Sequence, residues 1–278
     1  MTNDSNSNTD LRIANERLRQ EAEERKRIEE ELKNSNMRMR DELQMAAEFQ
    51  QTVLPKIVDV PYLKTCLVYR PFASVSGDIY DFLLNREKEL AVFLGDATGH
   101  GIAAALMTMM VHLGLDSLRR NLPTDESMRR LNQLIASRET GRSVTAIFFR
   151  VTPGGMLTVT HAGHPSLVVI PADSEGLVQF NGGGCALGLF KNEPVPYEEE
   201  AYQLSRGDKL FAYTDAVIEW RDKNKEIFGL DRLLEFLSRH RECDIQQLSE
   251  LLQDRLKEHA HGVACDDDLT VLTFEYLG

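Results

Sequence analysis

The sequence predicts an α+β fold behind a long N-terminal helix. Three observations carry this. Residues 10–53 contain neither Gly nor Pro and repeat apolar residues every seven positions. After Pro55 and Pro61 the texture changes to short apolar runs separated by turn residues. Those runs are joined as hairpins and interrupted by pairs of helical segments, which favours antiparallel sheets covered by helices over a regular βαβ alternation. With 278 residues, 42% hydrophobic and 27% charged, the chain has the material for a packed core, and global disorder is excluded.

The N-terminal segment is read first. Residues 1–9 are almost all Asn, Ser, Asp and Thr and are expected to form a frayed, disordered tail. Over residues 10–54 the seven-step series Leu11, Leu18, Arg25, Leu32, Met39, Ala46, Val53 has one polar member. Ala14, Ala22, Ile28, Leu43 and Phe49 thicken the stripe, and Glu, Arg and Lys fill the rest. A narrow seam of this kind suits a coiled coil, so pairing with a second copy or docking on a partner is expected. The prolines end the helix, and residues 55–278 form the main domain.

Within that domain LKTCLVYRPF and LAVFLGD read as strands, and the apolar stretch from Ile102 to Arg120 as a helix. A second helix is expected over about 124–138, with Thr124 and Asp125 as start signals. VTAIFFRVT and MLTVTHA flank a Pro-Gly-Gly turn and make a hairpin. SLVVI, LVQF, YEEEAYQL and KLFAYTD continue the strands, helices follow at about 231–240 and 244–258, and LTVLTFEYL closes the chain. Met107, Met109 and Met110 read as core packing, Trp220 as the cap of a sheet edge, and Glu198-Glu199-Glu200 as a solvated face.

The charge narrows the function classes. Forty-four acidic residues against 32 Lys and Arg, a net charge of −12, argue against a nucleic-acid binder or nuclease, whose affinity rests on basic side chains. No apolar run reaches the roughly 18–20 residues of a membrane helix, and the polar start is no signal peptide. Cys66, Cys185, Cys243 and Cys265 lie far apart with no CxxC, so neither a disulfide framework nor a zinc site is expected, and a cytoplasmic setting fits.

Four places begin or end an apolar strand with aspartate: Asp78, Asp96, Asp215 and the run Asp266-Asp267-Asp268. Converging carboxylates without His or Cys make a hard oxygen site suited to Mg²⁺ or Mn²⁺. Two carboxylates about 5 Å apart repel by roughly 3 kcal/mol at an effective dielectric near 20, and bound cations relieve that repulsion. Each Asp on its own is equally a turn residue; four at strand ends favour the site. The segment Gly95-Asp96-Ala97-Thr98-Gly99-His100-Gly101 joins a strand to a helix. Its glycines allow close backbone approach, and the helix N-terminus favours an anion such as phosphate.

The ordered motifs SGDIYDF, GDATGHGIAAALMT, VTAIFF, THAGHPSLVV, ALGLF, RGDKLFAYTDAVIE, FGLDRL and DDDLTVL resemble the bacterial metal-dependent protein phosphatases (PPM, type 2C), in the branch acting in stress response and sporulation. The segment LQMAAEFQQTVLP is similar to the linker helix that leads into such domains. The resemblance implies a four-layer αββα sandwich and two bound Mn²⁺ or Mg²⁺ ions, with room for a third. It places Asp96 as the bridging ligand, the Ala97 carbonyl on the second ion, and Asp215 and Asp267 as further ligands. By the same resemblance Asp78 would touch the ions through water or complete a further site. It implies hydrolysis of a phosphoserine or phosphothreonine by a water activated between the ions, with Asp96 and Asp78 in the catalytic set and His100 as candidate general acid for the leaving oxygen. His161 and His164 fall on a structural hairpin beside the site.

The resemblance further implies a phosphorylated anti-sigma-factor-antagonist-type protein as substrate in a partner-switching pathway, with a homodimer formed through the N-terminal helix. No receiver or sensor domain precedes that helix, so input is expected from an upstream sensor or activator protein, or from a longer chain of which this is a piece. Ala216 stands where the family usually has Gly, and Ser76 replaces the first Gly of Gly-Gly-Asp. A left-handed backbone at position 216 would cost Ala on the order of 1 kcal/mol. That departure supports the alternative reading of a catalytically weak PPM-fold scaffold regulated through its coiled coil.

Overall fold

The structure is a computed structural model describing residues 3–99, 101–118, 122–138, 141–190 and 195–278, with side chains from residue 15. The chain divides into two compact units, Met1–Ala46 and Ala47–Gly278. Helix α1 covers Asn3–Val53, so residues 3–9, expected as a tail, take helical backbone. In the first unit Leu18, Ile28, Leu32 and Met39 of the apolar seam are each more than half exposed. The ion pairs Arg25–Glu29 and Arg27–Glu24 on this helix are solvent-facing, a setting in which such pairs add little.

The second unit holds two five-stranded sheets in which every pairing is antiparallel. One has the order β1 (Leu63–Arg70), β10 (Leu269–Tyr276), β9 (Lys209–Tyr213), β6 (Leu167–Ile170), β7 (Val178–Phe180). The other has the order β2 (Asp78–Leu84), β3 (Leu90–Ala97), β4 (Val144–Val151), β5 (Met156–Ala162), β8 (Glu199–Gln203). Helices α2 (Ile102–Ser117) and α3 (Thr124–Ala136) cover the second sheet. The short α4 (Ala216–Glu219), with α5 (Leu230–Arg239) and α6 (Ile245–Ala260), covers the first. This is the four-layer αββα sandwich.

Three apolar layers follow from strand alternation. On β3, Leu90, Val92 and Leu94 face the core between the sheets, while Ala91 and Phe93 face α2 and α3. On β10, Leu272 and Phe274 face inward, and Leu269 and Val271 face α5 and α6. Both faces of these strands are covered, so they read as continuous apolar runs rather than as alternation. Edge-on packing of Phe149 (β4) on Phe274 (β10), with ring centroids 5.5 Å apart, joins the sheets at mid-core.

Two local expectations change. Trp220 ends α4 and its Nε1 donates to the Val263 carbonyl (3.1 Å), packing beside α5 and α6 rather than capping a sheet edge. The acidic run is not simply solvated. The Glu199 carboxylate accepts from Thr124 N (2.8 Å) and Thr124 Oγ1 (2.6 Å), taking up a first-turn donor of α3 that Pro123 at the N-cap leaves without a side-chain acceptor. Helix α6 solves the same problem locally, with Asp244 accepting from Gln246 N and Gln247 N. Glu199→Ala is therefore expected to cost about 1 kcal/mol in urea unfolding, whereas Glu198→Ala, at an exposed position with no such duty, leaves the midpoint unchanged. Equal effects from the two substitutions would refute this capping role.

Candidate active site

The site lies where the ends of four strands meet. Asp78 opens β2 and Asp96 is the penultimate residue of β3; the two are direct ladder partners, which puts their side chains on one face. Asp215 follows β9, and Asp267 and Asp268 lead into β10. Thr214 N donates to the Thr270 carbonyl (3.0 Å), holding the last two segments together. Gly95 permits this geometry: a Cβ there would lie 2.9 Å from the Phe93 ring and 3.0 Å from the Thr145 carbonyl oxygen.

Asp78 is buried. Its Oδ2 accepts from Thr214 Oγ1 (3.0 Å) and Thr270 Oγ1, so hydroxyls of one sheet hold a carboxylate of the other. Burial, then the field of Asp96, holds Asp78 well above the usual carboxylate range, and the two hydroxyls pull the other way. Burial together with Asp215, Asp267 and Asp268 pushes Asp96 up to about 8. Burial, Asp267 and Glu219 push Asp215 up to about 6. The aspartates singled out in the sequence thus act on one another electrostatically.

Within the triple Asp run the roles separate. Asp268 is buried and both its oxygens are taken by backbone donors, Phe72 N (2.7 Å) and Gly77 N (2.6 Å). It clamps the segment that carries Asp78. Asp267 is exposed, beside Asp96 and Asp215, and its Oδ1 accepts from Asp268 N (2.8 Å). Ala97 is buried, with its N–H on the Gly77 carbonyl (3.0 Å). His100 lies outside the described residues.

Of the histidines of THAGHP, His161 is buried and His164 half-buried. His161 Nε2 faces Leu167 N at 3.4 Å, and His164 Nδ1 lies 3.0 Å from Thr145 Oγ1, beside the β4 residue that pairs with Asp96. Burial lowers His161 to about 4 and His164 to about 3, so both are neutral near pH 7. Ala216 begins α4 after Asp215 at φ −59° and is absent from the residues with positive φ. Alanine therefore carries no left-handed strain there, and the feature supporting a weakened scaffold disappears.

Several participants escape a motif reading: the hydroxyls of Thr214 and Thr270 and the clamp at Asp268. Their function depends on cross-sheet neighbours, which spacing does not reveal. The Asp-Asp-Asp run was the available signal for Asp268, but its orientation needed the fold.

Hard oxygen donors that raise one another's proton affinity suit a divalent cation. The fit lies in donor chemistry and charge: among the described residues no three His, Cys, Asp or Glu side chains form a ready-made cation cage. A pH dependence follows. Asp96 holds its proton more tightly folded than unfolded, so its contribution to stability is full below about pH 4 and is lost as pH rises through about 8. In chelator, the wild-type chain is expected to lose stability between pH 5 and pH 8, and Asp96→Asn to flatten that loss by on the order of 1–3 kcal/mol. Parallel urea-midpoint profiles for the two proteins would contradict the placement of Asp96.

Comparison with known proteins agrees with this architecture. The chain is 27% identical over 280 residues to protein IcfG of Synechocystis, covering 88% of this chain and 43% of that protein. It is 23% identical to the phosphoserine phosphatase RsbU of Bacillus subtilis, covering 87% of this chain and 72% of that protein. The SiaA PP2C domain of Pseudomonas aeruginosa superposes with a TM-score of 0.74 at 19% identity, covering 87% of this chain and 98% of that one, and so shares its fold. The profile of the Stage II sporulation protein E (SpoIIE) family matches residues 86–277, a span that takes in Asp96, Asp215 and Asp267, and the chain belongs to that family.

Proposed function

We propose that the chain is a metal-dependent protein serine/threonine phosphatase, with residues 55–278 as its phosphatase domain and residues 10–54 as a regulatory helix. The observation that carries this is the meeting of Asp78, Asp96, Asp215 and Asp267 at the ends of both sheets, with Asp96 and Asp215 raised by their neighbours. Asp96, Asp215, Asp267 and the Ala97 carbonyl would hold two Mn²⁺ or Mg²⁺ ions, with Asp78 reaching them through water or completing a further site. Bound ions of this kind lower the proton affinity of water and neutralise charge on a transferring phosphoryl group. The protein supplies the rest. The Thr214 and Thr270 hydroxyls orient Asp78, Asp268 holds the turn before it, and the β2–β3 ladder keeps Asp78 opposite Asp96. His100 is the candidate for protonating the leaving oxygen.

The likeness to RsbU, which is named a phosphoserine phosphatase, supports phosphoserine as the group cleaved. We place the substrate on a small anti-sigma-factor-antagonist-type protein in a partner-switching pathway, with an upstream sensor or activator providing input in a cytoplasmic setting. No helix among the described residues is long and apolar enough to cross a membrane. The exposed seam of α1 supports homodimerisation through that helix.

Hydrolysis of p-nitrophenyl phosphate is expected to require Mn²⁺ or Mg²⁺ and to fall by roughly 100-fold or more in Asp96→Asn, the scale of losing a charge-stabilising group. Hydrolysis indifferent to both chelator and this substitution would end the phosphatase reading. Deleting residues 1–40 is expected to abolish dimerisation in sedimentation and to alter turnover. Unchanged values of both would remove the regulatory role of the helix.

A further inference from the structure

Asp215 and Asp267 arrive at the site on two separate segments. Asp215 is followed by the single turn of α4: Ile218 N and Glu219 N donate to its carbonyl (2.9 and 2.8 Å), and Trp220 N donates to the Ala216 carbonyl (3.1 Å). Asp267 comes near the end of the loop after α6. That helix stops at the left-handed His261 (φ 49°) and Gly262 (φ 89°), with Val263 N on the Ala260 carbonyl (3.0 Å). From Val263 to Asp268 the backbone is neither helix nor strand. Neither segment can hold an aspartate in place alone, because one helical turn makes too few hydrogen bonds to persist unaided and the loop has no ladder.

Trp220 joins the two. Its carbonyl accepts from Phe228 N (2.9 Å), and Gly229 N donates to the Ile218 carbonyl (2.8 Å), so the end of α4 is pinned to the start of α5. Its indole Nε1 donates to the Val263 carbonyl (3.1 Å) in the loop. The indole ring packs against the apolar layer of α5 and α6, and Cys265 of the loop packs against the same layer. Cys265 Sγ in turn donates to the Asp267 carbonyl (3.4 Å), which carries the anchorage on to the aspartate. Asp267 is among the neighbours that push Asp215 up, so the two carboxylates act on each other across this bridge.

We infer that Trp220 is a positioning residue: its indole ties the helical turn after Asp215 to the loop before Asp267, and so fixes the spacing of the two carboxylates for a divalent cation. The role rests on the metal-centre reading above and adds to it the side chain that holds two of the ligand segments in register. An indole that merely filled space would contribute to stability and leave cation affinity alone. Trp220 instead changes cation affinity out of proportion to stability.

The test uses the full chain with cations alone and no substrate. Trp220→Phe keeps an aromatic ring and removes the indole donor; Met128→Ala, at a buried position in the layer over the other sheet, is the control for lost stability. In calorimetry Trp220→Phe is expected to weaken Mn²⁺ binding about fivefold, the scale of one hydrogen bond, and Met128→Ala to leave it unchanged. Linkage makes the effect reciprocal, so cation binding must in turn tighten the indole contact. Trp220 is the single tryptophan of the chain, so its emission reports that contact in the unaltered protein. On addition of Mg²⁺, which is not paramagnetic, emission is expected to change with the same midpoint as the heat of binding. Wild-type Mn²⁺ affinity in Trp220→Phe, a loss equal to that of Met128→Ala, or emission indifferent to Mg²⁺ that calorimetry shows to bind would each overturn the role of Trp220 alone. A wild-type chain that takes up neither cation would bring down the metal-centre reading and this role with it.

Discussion

The constraint that organises the molecule is the crowding of carboxylates at one end of two packed sheets. Like charges in a partly dry site repel, so their approach has to be enforced by the covalent and hydrogen-bonded frame around them. The frame is rigid where it needs to be. Asp78 and Asp96 face each other across an antiparallel ladder, Asp215 and Asp267 sit at the ends of neighbouring strands, and two threonine hydroxyls stitch one sheet's carboxylate to the other sheet. The sandwich behind them is apolar through three layers, which supplies the stability that the gathered charges take away.

Much of this was legible before any coordinates. Strands such as LAVFLGD and KLFAYTD are apolar enough to announce themselves, and the Pro-Gly-Gly hairpin lies where its turn chemistry demands. Asp78, Asp96, Asp215 and Asp267 could be singled out because each marks the boundary between an apolar run and a turn. The supporting roles were not legible, and the reason is physical. Thr214 and Thr270 are ordinary β residues until the strands bring them to Asp78, and nothing local distinguishes a clamping Asp268 from its two acidic neighbours.

Residues that looked bland or troublesome in sequence gained meaning from backbone context. Ala216 appeared as a defect where glycine is customary, yet it begins a helix, where alanine is well suited. Glu199 appeared as one of three solvated acids, yet it reaches across to the first turn of α3. Both outcomes depend on φ angles and on partners from distant parts of the chain, which composition does not encode.

Gly95 has a consequence for how this chain can vary. A methyl placed there would lie 2.9 Å from the Phe93 ring of the same strand and 3.0 Å from the Thr145 carbonyl oxygen of β4, both inside ordinary contact, so even alanine would force a shift at the residue before Asp96. This bare α-carbon leaves little latitude, because making room for a side chain there would move the carboxylate next door.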